Sequence, residues 1–224
     1  MQKKIDFMSS LHKKTKRDYL ARVNDLKYPK YKAATLAKKW DFDYWDGDRR
    51  IVYGGYKYIP GRWKKVAKKM IKNYNLKKNN KILDIGCGKG FLLYELKNEL
   101  PELEVHGIDI SKYAIENSKP EIKPFLKSGN AKKLPYESKY FDFVFSINTF
   151  HNLYCFDLYK SINELVRVSK RKSYICVESY RNELEKQNLL YWQVTCECFF
   201  TEKEWLWWFK KCKYKGDYSF IYFE

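Results

Sequence analysis

The stretch KILDIGCGKGFLLYEL, Lys81 to Leu96, restricts the fold more than any other part of the chain. A short, mostly apolar run leads into three glycines at alternate positions, Gly86, Gly88 and Gly90. Beyond them Leu92, Leu93, Leu96 and Leu100 recur at helical spacing until Pro101 ends the pattern. A strand that passes through a bare-backbone turn into a helix commonly binds a ligand at the helix start, and several kinds of ligand use that device.

The spacing of the glycines narrows the ligand. A dinucleotide-binding turn, G-x-G-x-x-G, needs glycine at position 91, where Phe91 stands. The phosphate-cradling pattern G-x-x-x-x-G-K-[ST] is also missing, so Lys89 is not its lysine. What the chain carries is Asp84-Ile85-Gly86-Cys87-Gly88-Lys89-Gly90. A carboxylate beside the loop would repel a pyrophosphate, and it suits a ligand with a cationic end. Asp109 then closes the next apolar run, at a strand end where a carboxylate accepts hydrogen bonds from both hydroxyls of a ribose.

From Lys81 onward, strand and helix patterns alternate. Strands are expected at 81–85, 103–110, 124–130, 140–147 and 173–179, a sixth at 191–200 and a last at 216–224. Ser111 is placed to cap a short helix and Asp157 to cap the amphipathic helix through Leu158, Ile162, Leu165 and Val166. Thr201 and Glu204 form a capping box ahead of WLWWF, whose Trp205, Trp208 and Phe209 share one helical face and read as core. Alternation of this kind predicts a mostly parallel sheet covered on both faces, a Rossmann-like three-layer sandwich.

Charge divides the chain in two. Residues 1–80 hold 23 Lys and Arg against 7 Asp, and residues 81–224 hold 22 against 20 acidic groups. We therefore separate a basic N-terminal extension, 1–80, from an α/β domain, 81–224. The extension either meets something anionic or is solvated. Within it DFDYWDGDRRIVYGGYKYIPGRW sets Tyr53, Tyr56 and Tyr58 around a Gly-Gly turn, with Arg62 and Trp63 following. That composition reads as a lid or an aromatic hairpin on a sheet edge. The six cysteines have no metal-ligand spacing, so no metal is expected, and a reducing, cytoplasmic setting fits them best. No apolar run approaches the ~20 residues of a membrane helix.

LDIGCGKG, GIDIS, SGNAKKLPY and YFDFVFSINTFHNL together resemble the successive motifs of class I S-adenosylmethionine-dependent methyltransferases. The likeness covers Lys81 to Glu224, and the N-terminal part is similar to a bacterial subgroup of that superfamily. The resemblance implies a seven-stranded sheet with an antiparallel last strand, and S-adenosylmethionine as cofactor, whose sulfonium and ammonium answer the Asp84 argument. It implies that Asp84, Gly86, Cys87, Gly88 and Gly90 hold the methionine end. Asp109 would take the ribose, Ile110 would pack on the adenine, and Asn130 and Ala131 would bond its edge. Asn148 would face the amino-acid end. Asn130 stands where the family commonly has Asp, so the contact to the adenine amine keeps its acceptor and loses a charge.

Methyl transfer from a sulfonium asks the protein to position a nucleophile and, for some acceptors, to remove a proton. His151 after the fourth strand and Glu178 at the end of the fifth are the candidate catalytic groups. The acceptor is expected to be a small, anionic metabolite, for example a phosphate- or carboxylate-bearing compound such as a nucleotide-linked sugar, methylated on O or N. Two alternatives stand beside it. One is an RNA methyltransferase that uses the basic arm, although no N-P-P-Y motif follows the fourth strand. The other is a non-catalytic, cofactor-binding partner subunit.

Overall fold

The computed structural model describes residues 2–12 and 17–224. Six strands form one parallel sheet: β1 (Lys81–Ile85), β2 (Glu104–Asp109), β3 (Leu126–Ser128), β4 (Phe141–Ile147), β5 (Ser169–Glu178) and β6 (Asp217–Ile221). Their order is β3-β2-β1-β4-β5-β6, so the direction of winding reverses between β1 and β4. In open α/β sheets the ligand crevice lies outside the carboxyl ends of the strands at that reversal.

The helices are α1 (Ser9–His12), α2 (Tyr19–Val23), α3 (Lys30–Ala37), α4 (Phe42–Trp45), α5 (Lys64–Tyr74), α6 (Phe91–Glu99), α7 (Lys112–Glu116), α8 (Cys155–Val168), α9 (Glu183–Trp192) and α10 (Glu202–Lys211). Side chains of α5, α6 and α9 share one apolar core with Ile82, Val105, Phe143, Phe145 and Cys176. The opposite core joins α8 and α10 to Leu83, Ile85, Val144, Ile175 and Val177. Neighbouring strand residues thus go to opposite faces, as a pleated strand buried on both sides requires. Phe141 breaks the rhythm, packing with Val144 rather than Phe143, at the place where the pairing with β5 shifts register.

Ser111 caps α7 by accepting the Ala114 N–H at 3.0 Å, and Thr201 and Glu204 close their capping box on α10. Trp205 and Phe209 are fully buried and Trp208 packs beside them, while Trp207 is exposed. Asp157 is no N-cap: α8 starts earlier, at Cys155, and Asp157 lies in its first turn, where Lys132 Nζ donates to it at 3.0 Å.

Two expectations about the sheet are corrected. Residues 191–200 form no strand: α9, capped by Asn182, runs to Trp192, and the chain beyond it is irregular. That irregular stretch is held by two N–H groups, of Glu197 and Cys198, which both donate to the His151 carbonyl at 2.9 Å. The last strand, β6, pairs parallel with β5, not antiparallel, from Tyr174 opposite Asp217 to Glu178 opposite Ile221. Two helices separate β5 from β6, a crossover long enough to return the chain in the same direction. Beside β6 the N-terminal chain pairs in turn, with the Ile5 N–H donating to the Tyr218 carbonyl at 2.8 Å.

Beyond that pairing, the N-terminal 80 residues reach into the sheet core and build a cluster of their own. Helix α5 buries Val66, Ala67, Met70 and Tyr74 in the sheet core. The chain before it builds a smaller apolar cluster of Ala33, Ala37, Tyr44, Trp45 and Ile51, which meets Ala114 and Val194.

Candidate active site

Outside the carboxyl ends of β1 and β2 lies a cleft of about 420 Å³. The glycine turn forms its floor. Gly86 and Gly88 hold φ of +82° and +54°, left-handed values that favour glycine. A side chain on Gly86 would drive into Thr149, and one on Gly88 would come 2.7 Å from the Trp45 ring. The turn is fixed from β2: Gly86 and Cys87 donate their N–H groups to the Ile108 carbonyl. Gly90, also left-handed, opens α6 as its N-cap.

Two carboxylates face this floor. Asp84 is 5% exposed, and its Oδ1 has no hydrogen-bond partner among the described residues. Burial, with the nearby Asp109 charge adding to it, pushes its carboxyl well above the usual range. Asp109 accepts the Gly88 N–H at 2.7 Å and the Ser111 N–H at 2.8 Å. Burial raises it too, against the pull of those backbone donors. A buried carboxylate without a partner at a bare-backbone turn is a cation acceptor in waiting, and Asp109 has capacity left for hydroxyl donors. This donor set therefore fits a nucleoside with a positively charged tail.

At the far wall Ile110 is exposed, and Asn130 and Ala131 are half-buried along the cleft. The Asn130 Oδ1 accepts the Lys132 N–H at 3.1 Å, so the loop after β3 sets its direction. Asn148, with φ of +55°, follows β4 and lines the cleft on the β4 side.

The roof comes from the N-terminal chain. Trp40, Tyr44, Trp45, Tyr53, Tyr56, Arg62 and Trp63 line the same cleft. Trp45 is 7% exposed and donates its ring N–H to Ser111 Oγ at 2.9 Å, which sets it above Gly88. Tyr53 stacks on Trp45 with centroids 5.6 Å apart, and Tyr56 stacks on Phe91 at 5.2 Å. Asp46 clamps this roof. It accepts the ammonium of buried Lys89 at 2.7 Å, the Tyr113 hydroxyl at 2.9 Å and the Tyr56 N–H at 3.0 Å. Tyr58 is the member of the expected lid set that stays outside: it donates to Glu95 Oε1 at 2.6 Å and packs edge-on against Phe91 and Tyr94, fastening the segment to α6.

A second chamber of about 370 Å³ adjoins the cleft and shares Tyr53, Tyr56, Arg62, Trp63, Asn148 and Asn152 with it. His151 and Glu178 both line this chamber. They face each other: the Glu178 N–H donates to His151 Nδ1 at 3.3 Å, and His151 Nε2 lies 3.4 Å from Glu178 Oε2. With Nδ1 accepting, the hydrogen-bond pattern assigns the ring proton to Nε2. Burial drives His151 down to about 3, and it drives Glu178 up to about 8 against the pull of the Arg17 charge and the Gln193 donor, so the pair is uncharged at neutral pH. Gln193 donates to Glu178 Oε1, and Oε2 has no hydrogen bond among the described residues.

The roles that Trp40, Tyr44, Trp45 and Asp46 take were not assigned from the sequence, although a Trp-Asp pair inside the aromatic segment was in plain view. Thr149 was missed because nothing in NTFHNL shows that it packs against Gly86. Arg17, Arg22 and Arg49 were missed because they are scattered over 33 positions and meet only in the second chamber.

Known proteins agree with this fold. A family profile described as a methyltransferase domain matches residues 76–213, and the chain belongs to that family, the class I S-adenosylmethionine-dependent methyltransferases. Members of this class generally use S-adenosylmethionine. The Bacillus subtilis protein YrhH is 25% identical over 130 residues, 55% of this chain and 71% of that protein. A demethylmenaquinone methyltransferase of Thermotoga maritima is 30% identical over 118 residues, spanning 52% of this chain and 49% of that enzyme. Among solved structures, the YcgJ protein of Bacillus subtilis superposes with a TM-score of 0.54 at 21% identity, over 65% of this chain and 66% of that one. That likeness speaks for the fold alone. Among the described residues, no helix is long and apolar enough to cross a membrane.

Proposed function

We propose that the protein transfers a methyl group from S-adenosylmethionine to an oxygen or nitrogen of a small anionic acceptor. One observation carries this reading: two joined chambers hold opposite charge. The cleft over the glycine turn presents the buried carboxyl groups of Asp84 and Asp109. The adjoining chamber presents Arg17, Arg22, Arg49 and Lys57, with Arg62 on the wall it shares with the cleft and Glu178 as its one acidic side chain among the described residues. A cationic donor and an anionic acceptor are thereby drawn to separate places with a shared wall.

Asp84 and the backbone of Gly86, Cys87 and Gly88 would hold the methionine end, Asp109 the ribose, and Ile110, Asn130 and Ala131 the adenine. Bound there, the cofactor supplies an activated methyl group on sulfur. The chain's own residues do the rest. Asn148, on the shared wall, orients donor and acceptor toward each other, and the Trp45–Tyr53–Tyr56 roof excludes water. Glu178, which lines the acceptor chamber, takes the acceptor's proton once its carboxyl is ionised, while His151 Nε2–H beside Oε2 steadies the carboxylate that forms. His151 thus works through Glu178, because both of its ring nitrogens are turned to that residue.

The test is transfer of isotope-labelled methyl from S-adenosylmethionine to a panel of small phosphate and carboxylate compounds, with structured RNA as the competing acceptor. Labelled small anions, with a rate that climbs through about pH 8 as Glu178 ionises, support the reading. Label on RNA alone would overturn it.

A further inference from the structure

The second chamber holds more positive charge than one carboxylate would answer. Arg17, Arg22 and Arg49 line it without lining the cofactor cleft, so they lie away from the shared wall where Asn148 stands. Among the described residues none of the three makes a contact ion pair, although Glu178 feels the charge of Arg17 and Arg22 feels that of Asp25. By contrast, Arg50, Arg167 and Arg181 are paired with Asp48, Glu164 and Glu185. The three are also held in place. Arg22 Nη2 donates to the Ile51 carbonyl at 3.0 Å and Nη1 to that of Arg50, and Arg49 Nη1 donates to Val52. Those bonds fold the 49–52 loop against the chamber and leave further N–H donors on each guanidinium. Arg17 lies 4.5 Å over the Phe223 ring, and its Nε is buried with no partner among the described residues.

Like charges gathered at one concave site repel each other, and Arg22 feels this alongside a larger cost of burial: burial lowers its affinity for its own proton, the Asp25 carboxylate opposes that, and Arg49 adds to it. Such a cluster persists at a cost that a multivalent anion removes. A planar guanidinium fork also matches phosphate or carboxylate oxygens two at a time.

We propose that Arg17, Arg22 and Arg49 form a subsite for a head group carrying at least two negative charges, a phosphate ester or a dicarboxylate, on the methyl acceptor. The inference rests on the methyltransferase reading and deepens it. The acceptor's body would run from this head along Trp192 and Trp63 toward Asn148, with the methyl-accepting atom at that inner end.

The test uses the full chain saturated with S-adenosylhomocysteine and titrated calorimetrically with inorganic pyrophosphate and, separately, with succinate, at fixed ionic strength. The wild type should bind at least one of them in the micromolar to low-millimolar range, and the tighter of the two tells phosphate from dicarboxylate. Arg17→Gln/Arg49→Gln should weaken binding about tenfold or more, the loss expected when charge-assisted contacts go. Lys65→Gln/Lys69→Gln removes two charges from helix α5 outside the chamber and should change binding less than about twofold. If the double arginine variant melts early, Arg17→Gln alone, which spares the loop, should still weaken binding about threefold. Absence of binding by either anion at 10 mM (about the upper limit of a useful titration) overturns the subsite, as does equal weakening by the lysine variant or no change in Arg17→Gln. Binding of S-adenosylhomocysteine itself is read first. If the wild type fails that step, the methyltransferase reading fails, and the subsite with it.

Discussion

Replacing Glu178 with Gln should make the protein more stable at alkaline pH, and the size of the effect follows from where this carboxyl sits. It is 6% exposed, and burial raises it to about 8. In the unfolded chain a glutamate titrates near 4.3. Between those values the folded protein keeps a proton that the unfolded chain has released, so stability contributed by the neutral carboxyl is complete below about pH 4 and is lost as pH rises through 8. The slope is about 1.4 kcal/mol per pH unit, and the whole loss is on the order of 5 kcal/mol at most. Gln keeps the shape and the Gln193 contact region without titrating. Urea unfolding of wild type and Glu178→Gln at pH 5.5, 6.5, 7.5 and 8.5 gives the difference directly, since all other titrating groups cancel. The variant should gain on the wild type by about 1.4 kcal/mol with each step up to pH 7.5 and by about half as much in the last step. His151 acts on the other limb: held down to about 3 by burial, it loses stability as pH falls from about 6.5, in both proteins alike. Parallel stability curves for the two proteins from pH 5.5 to 8.5 would refute a neutral, buried Glu178.

Two further substitutions probe the floor and the roof of the cleft. Gly86→Val puts a branched side chain at φ +82° and into Thr149, and should cost about 3 kcal/mol in urea unfolding and abolish cofactor heat in a titration; wild-type affinity in this variant would contradict the turn geometry. Asp46→Ala leaves the ammonium of Lys89, 4% exposed, without its carboxylate, and should destabilise by about 3 kcal/mol, with Asp46→Asn intermediate; equal stability of all three would show that Asp46 is no clamp.

Much of the site was legible because its chemistry is local in sequence. Asp84, the three glycines and Asp109 come from two strand ends and one turn, and backbone geometry brings such neighbours together in any parallel α/β sheet. Ser111 and the Thr201–Glu204 box were legible for the same reason, since a cap needs only three consecutive peptide units. The misreadings are long-range. YWQVTCECFF alternates like a strand, yet β5 is already paired with β4 and β6, and the irregular stretch instead bonds to the His151 carbonyl. The direction of β6 depends on how far two helices carry the chain, which periodicity does not encode. His151 stood out by rarity, but its partner is set by the fold. Only the folded chain shows that its two nitrogens are turned to Glu178.

The account depends on a buried carboxylate at a bare-backbone turn receiving a cationic nucleoside. Isothermal titration of S-adenosylmethionine into the wild type and Asp84→Ala measures that directly. Micromolar binding in the wild type, weakened about tenfold or more in the variant, is the predicted result, the loss expected for one charge-assisted contact. A wild type that ignores the sulfonium compound at millimolar concentration, or two proteins with the same affinity, would contradict it.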